Sequence, residues 1–477
     1  MIGTQDYMAF VISHPCSPCR NCKRRKLVQR IRHERIIGPI LVLMSTELET
    51  NLLILSNGHG EDKVSSSVAK RMIEILRNFS IKASVNVLPL VGNGSAYFSI
   101  ARDVHLAGPV KEFPSGGFVN HRPLVFLRDI REGLLGLIFS QFQSISKWRS
   151  DCVGRRLILA VGDVWPLFLA TQAKTPFIFI GTAKSEYYVR DENGALQRRN
   201  FFEQVESLLS SVYYPWERTL MKQALAVYPR DALTALHLAK CGLTNVKYFG
   251  NPMMDDLEPT GKLLSKIHAS LFLSNVLQYC GSNRIVLLPG SRQDEMYRNI
   301  EKLLASIKDF AQENRVLFLL SCPPSASPAL IDTIICRWGW SCRSDTTDTM
   351  EYQLDASGLL VSFNEFSDCI HFSSVGIAMA GTATEQLVGI GRPVITIPGE
   401  GPQFTYSFAE AQKRLLGESV FFLEDASQVK VLLQELCTMS RTMRNKFVEN
   451  GIRKLGKAGA SKKIALDIVD IIRNMKE

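Results

Sequence analysis

The chain has 477 residues, which at about 150 residues per domain leaves room for two to four domains and excludes a single small binding module. Apolar types make up 46% and charged types 21%, so the chain can bury real cores and is neither collagen-like nor disordered as a whole. The net charge of +10 is uneven: residues 1–48 hold Arg20, Lys23, Arg24, Arg25, Lys26, Arg30, Arg32 and Arg35 against Asp6, Glu34 and Glu47, and the rest shows no basic stripe with interleaved aromatics, which argues against nucleic acid as a partner.

Residues 1–48 read as a leader or basic tail. A basic, acid-poor leader is compatible with an organelle transit peptide, and a solvated basic tail reads the same way. Its Cys16, Cys19 and Cys22 lack a fourth ligand close by, and eleven cysteines scattered through apolar segments fit buried thiols in a reducing compartment. The longest apolar stretch here, residues 36–44, contains Gly38 and Pro39 and is far short of the ~18 residues that a membrane-spanning helix needs.

From residue 52 the pattern is apolar run, turn, amphipathic helix, repeated. Residues 52–56 form a run, Asn57-Gly58-His59-Gly60-Glu61-Asp62 a glycine loop, and Val64, Val68, Met72 and Leu76 share one helical face. Further strands are expected at 83–89, 157–161, 177–180, 225–227 and 246–248. Between 119 and 148 a broad apolar stripe is flanked by Arg122, Arg128, Arg131, Lys147 and Arg149; an interfacial helix on anionic lipid and a buried helix both read this way.

A second series of runs follows a less patterned stretch: 285–288, 316–321, 358–361, 375–380, 393–397 and 419–422, with helices such as 296–310 and 384–390 between them. The expected organisation is an N-terminal Rossmann-like domain over 50–260, a second over 280–435 and C-terminal helices over 440–477 that either pack back on the first domain or stay solvated. The fold class is α/β, two doubly wound sheets with ligands at the carboxyl ends of their strands and a cleft between them.

Four loops carry chemistry. Asn57, Gly58, Gly60, Glu61 and Asp62 stand between a strand and a helix, where backbone N–H groups approach an anion or a hydroxyl closely, or where the glycines simply make the turn. The loop is neither G-x-G-x-x-G nor a Walker sequence. Gly162-Asp163 places a carboxylate at a strand end, as general base on an acceptor hydroxyl or as an ordinary N-cap. Pro289-Gly290-Ser291-Arg292 with Glu295 suits a diphosphate, with a capping box as the plain alternative. Gly381-Thr382-Ala383-Thr384-Glu385 repeats the logic: small residues at a helix start for phosphate, and Glu385 for ribose hydroxyls. Histidines are isolated, no D-x-D pair or metal-ligand spacing appears, and no metal site is expected.

In this order these motifs resemble the lipid-A-disaccharide synthase family, and more closely its related group in cyanobacteria and plants, from about Leu52 to the C-terminus. The parts that carry the resemblance are residues 288–292 with Glu295, residues 381–385 followed by Gly391-Arg392-Pro393, and Gly162-Asp163. It implies a GT-B architecture and metal-independent, inverting transfer of an acylated glucosamine-type sugar from UDP to a lipid-linked sugar acceptor at a membrane surface. It further implies Asp163 as the essential base, Ser291, Arg292 and Glu385 on the donor, no cofactor beyond the UDP-sugar substrate, and a chloroplast in preference to a mitochondrion; the loop reading adds Glu295, Gly381, Thr382 and Ala383 to the donor site, and Gln403, also expected there, stands where the family has an Asn-containing stretch. The chain departs from the family's G-E-A-S-G-D loop at residues 57–62, so the donor end matches better than the acceptor end. UDP-sugar 2-epimerases share the architecture and are the alternative, as is a UDP-sugar- or lipid-binding protein without turnover.

Overall fold

The computed structural model describes residues 49–92, 94–100, 104–110, 134–196, 211–345, 349–399 and 404–475. These belong to one unit, Glu47–Glu477, built on two large sheets. The leader and residues 111–133 lie outside the described residues.

The first sheet contains β1 (Thr50–Asn57), β2 (Ala83–Val91), β3 (Val104–Leu106), β4 (Arg155–Gly162) and β5 (Phe177–Gly181); a two-stranded hairpin, β6 (Arg190–Asp191) and β7 (Gly194–Ala195), stands apart from it, and β8 (Val227–Tyr228) completes it. Its order is β3-β2-β1-β4-β5-β8 with every pairing parallel. β1 is buried on both faces, which is why its sequence is a continuous apolar run instead of an alternation. Leu52 and Ile54 meet the helix His59–Asn78 through Val64, Val68 and Met72, while Leu53 and Leu55 face Ile145 and Trp148 of the helix Leu134–Asp151. Each fully buried aliphatic side chain of this kind contributes about 1.5–3 kcal/mol.

The second sheet runs through β9 (Arg284–Leu288), β10 (Leu317–Ser321), β11 (Ser341–Asp345), β12 (Thr349–Leu354), β13 (Ser357–Ser362), β14 (Val375–Ala378), β15 (Val394–Thr396) and β16 (Val420–Phe422), in the order β11-β12-β13-β10-β9-β14-β15-β16. β11 and β12 form an antiparallel edge that the sequence pattern did not announce. Met350, Tyr352 and Leu354 are buried on alternate positions of β12, as one covered face requires. Conversely, the strand expected at 246–248 amounts to an isolated bridge between Val227 and Val246.

The last helix, Ala460–Asn474, returns to the first half. Ile464, Ile468 and Ile472 enter the core beside Val68 and Met72. Asp255 holds its start by accepting from the N–H groups of Ser461 (2.6 Å) and Gly459, and Asp467 receives the Tyr228 hydroxyl (2.5 Å) and Lys247 (2.7 Å). Among the described residues no helix is long and apolar enough to cross a membrane.

Candidate functional site

In both sheets the chain changes direction of winding at one place, between β1 and β4 in the first and between β9 and β14 in the second. Loops leaving the carboxyl ends of such neighbouring strands diverge, and the crevice between them is where open parallel sheets take ligands. All four loops singled out in the sequence leave from these two places.

In the first half, Asn57 donates through Nδ2 to Oδ1 of Asp163 at 3.0 Å and so ties β1 to β4 across the crevice. The same oxygen accepts from the Trp165 N–H (3.0 Å), which makes Asp163 the N-cap of the helix Val164–Gln172. Gly162 has φ +135°, and a Cβ there would come within 3.2 to 3.4 Å of Asn57, Pro166 and Glu61, so only glycine allows these side chains to converge. Glu61, in the first turn of the helix from His59, accepts from the Thr182 hydroxyl at 3.2 Å. Burial first, then the nearby charges of Asp163 and Asp62, push its carboxyl up to about 7. Burial raises Asp163 as well, against the pull of its Trp165 and Asn57 hydrogen bonds and of Lys184. Asp62 is turned inward: Ser56 donates to it at 2.5 Å, the Tyr97 hydroxyl donates to Ser56 at 2.7 Å, and burial lifts its carboxyl to about 6.

In the second half the two loops lie side by side. The Met379 N–H donates to the Leu288 carbonyl (2.8 Å), and Gly290, at φ +93°, sits so close that a Cβ would be 3.2 Å from the Met379 carbonyl. Asn299 supports this loop through the Pro289 carbonyl (2.8 Å). The helix Gln293–Glu313 starts after Arg292 with no side-chain cap, so the capping box is not formed. Glu295 instead accepts from the Phe404 N–H at 2.8 Å and holds the loop after β15 in place. Ser291 is exposed and Arg292 half-buried beside Glu295; burial draws the guanidinium below the usual arginine range. The helix Thr382–Gly389 also begins without a side-chain cap, at Gly381, and its first N–H groups carry the positive end of the helix dipole. Gln412, which is buried, braces this turn by donating to the carbonyls of Ala380 (3.2 Å) and Gly381 (3.0 Å). Gln403 lies outside the described residues.

The two sets of loops face one another. A Cβ placed on Gly60 would lie 3.7 Å from the Thr382 hydroxyl. Glu385 is buried and its carboxylate accepts from Nη2 of Arg230, a residue of the first half, whose Nη1 donates to the Thr182 carbonyl at 2.9 Å. Thr182 thus touches Glu61 with its hydroxyl and Arg230 with its carbonyl. Beside this junction a cavity of about 260 Å³ is lined by Ala183, Lys184, Tyr188, Val189, Ser211, Val212 and Tyr214. Lys184 is fixed there by both oxygens of Glu217 at 2.6 and 2.8 Å. Arg230, Thr182 and Lys184 stand in no motif; Arg230 follows a two-residue strand, and only the fold reveals its reach.

Of the 119–148 stripe, the described part is a helix that buries Leu137, Ile145 and Trp148 and leaves Phe139 and Phe142 exposed. Phe142 meets Trp165 edge-on at 6.3 Å and Trp165 stacks on Phe168 at 5.8 Å, so an aromatic strip runs from this helix to the residues just after Asp163.

No family model and no curated protein matches the chain. Among solved structures it is similar to the calicheamicin glycosyltransferase CalG4, with a TM-score of 0.53 and 11% identity over 90% of this chain and 99% of that one. It is similar to a UDP-N-acetylglucosamine 2-epimerase at TM-score 0.50 and 12% identity, covering 90% of this chain and 97% of that one. The S. aureus protein MnaA, solved with UDP, gives TM-score 0.50 and 14% identity over 90% and 98%. These likenesses establish the fold, a GT-B arrangement of two Rossmann-like domains that glycosyltransferases and epimerases have in common.

Proposed function

We propose that the protein is a UDP-sugar glycosyltransferase that inverts the configuration of the transferred sugar and uses a lipid-linked sugar as acceptor. The observation that carries this reading is the meeting of the loop bearing Glu61 with the uncapped helix start at Thr382, which sets carboxylates opposite an anion-receiving turn. The diphosphate of the donor would lie against the N–H groups of Thr382 and Ala383 with Arg292 and Ser291 beside it, where the negative charge of the departing nucleotide grows. Glu385 would take the ribose hydroxyls, which requires Arg230 to yield it. The acceptor hydroxyl would enter from the cavity at Lys184 and give its proton to Asp163, with Glu61 nearby. The sugar of the acceptor would occupy that cavity, and the aromatic strip from Phe142 to Phe168 would offer its lipid an apolar surface.

One observation favours a second reading. Epimerisation needs more than one acid/base group around the sugar, and Glu61 beside Asp163 supplies two. Incubation with UDP-N-acetylglucosamine, with and without membrane lipid, separates the readings: UDP release that depends on lipid supports transfer, whereas isomerised UDP-sugar without lipid supports the epimerase.

A further inference from the structure

The Gly391-Arg392-Pro393 motif takes no part in the cleft. It lies at the opposite end of the second sheet, where the strands begin. Arg392 donates through Nη2 to the carbonyl of His371 at 2.9 Å, at the end of the helix Phe366–Phe372. The guanidinium of Arg284, the first residue of β9, stands 4.9 Å over the ring of the next residue, Phe372. These two arginines flank the start of β14: the N–H of Ser374, just before the strand, donates to the Arg284 carbonyl and that of Gly376 to the Pro393 carbonyl. A third arrives from the helix Arg441–Leu455: a Cβ on Gly391 would come 2.5 Å from Val448, so this helix lies directly on the turn before Arg392, and Arg444 is one helical turn before Val448.

Among the described residues no carboxylate pairs with any of the three. The Nε atoms of Arg284 and Arg392 are enclosed and have no hydrogen-bond partner. Burial, then the charges of Arg284 and Arg444, hold Arg392 below the usual arginine range. A carbonyl cap on the Phe366–Phe372 helix accounts for Arg392 alone. It leaves two further cations gathered without a counter-charge.

We propose that Arg284, Arg392 and Arg444 form a second binding site, at the strand-start end of the C-terminal half, for a small phosphoryl oxyanion. The guanidinium fork matches the geometry of phosphate oxygens, binds them bidentately and keeps its charge at any physiological pH. Inorganic phosphate and the phosphomonoester headgroup of a lipid share this chemistry.

The test is calorimetric titration of the whole chain with inorganic phosphate at constant ionic strength, and in parallel with phosphatidylcholine vesicles with and without phosphatidic acid. Phosphate binding by wild type that Arg444→Gln weakens tenfold or more, while Arg292→Gln in the cleft leaves it intact, supports a site for the free anion. Vesicle binding that needs phosphatidic acid and shows the same dependence on Arg444 supports the headgroup. Absence of both, or equal binding by wild type and Arg444→Gln, overturns the site. Arg444 is half-buried on a helix surface, and its replacement removes a like charge. In phosphate-free buffer Arg444→Gln therefore melts at or above the wild type, and in phosphate the order reverses; no reversal also counts against the site. UDP uptake is measured on the same variant, so a failure of the cleft is seen separately.

Discussion

Arg230 and Glu385 form a buried ion pair across the junction of the two halves, one from the end of the first sheet and the other from the first turn of a helix in the second. Arg230 is anchored on its own side by the Thr182 carbonyl, so the pair links the acid cluster of one half to the helix that starts at Thr382 in the other.

Removing one member of such a pair leaves the other charge buried and unpaired, a loss of about 3–5 kcal/mol. Glu385→Gln is therefore expected to lower the urea midpoint strongly, and to lower UDP affinity as well, because the same carboxylate is proposed to hold the ribose. Unchanged stability would show that Arg230 finds another partner.

Glu61 gives a pH signature. Its carboxyl rises from the ordinary 4.5 to about 7 in the folded chain, so the folded state binds more protons than the unfolded state between those values. The protonated form is the favoured one, and stability falls as pH rises through this window by on the order of 3 kcal/mol, with no further loss above about 7. Glu61→Gln should melt higher than wild type at pH 8 and near it at pH 4. Parallel melting curves across that range would contradict the assignment.

Asp163→Asn separates cap from charge. Asparagine caps a helix as well as aspartate, so the melting temperature should stay near wild type while sugar transfer falls by about 10²- to 10⁴-fold and UDP affinity holds. Normal transfer would remove Asp163 from the proton-accepting role.

Gly290 is held at φ +93° against the Met379 carbonyl. Alanine there should cost about 1 kcal/mol or more in denaturant unfolding and loosen the Gly381 turn with it, seen as weaker UDP binding. If only stability changes, the two loops do not act together.

Much of this architecture is legible in the sequence because parallel strands buried on both faces are continuous apolar runs, as at residues 52–55 and 285–288. The glycine loops are legible because a strand followed by small residues and a helix has few other uses. What was not legible is what depends on distance. Glu295 reads as a capping residue or a donor contact; it makes no capping box, and its hydrogen bond from the Phe404 N–H has no signal in the sequence. β12 alternates polar and apolar residues because only one of its faces is covered, unlike the continuous apolar runs of the central strands, and short β3 carries too few residues to register. Arg230, Thr182 and Lys184 sit in connections without local pattern, and their partners are at separations no period reports.

The most direct measurement is titration calorimetry of UDP into wild type and Arg292→Gln. Wild type should take up one UDP per chain, and the variant should bind at least about tenfold more weakly, as loss of a charge-assisted diphosphate contact implies. No heat with wild type, or equal affinity in both, would contradict the proposed cleft.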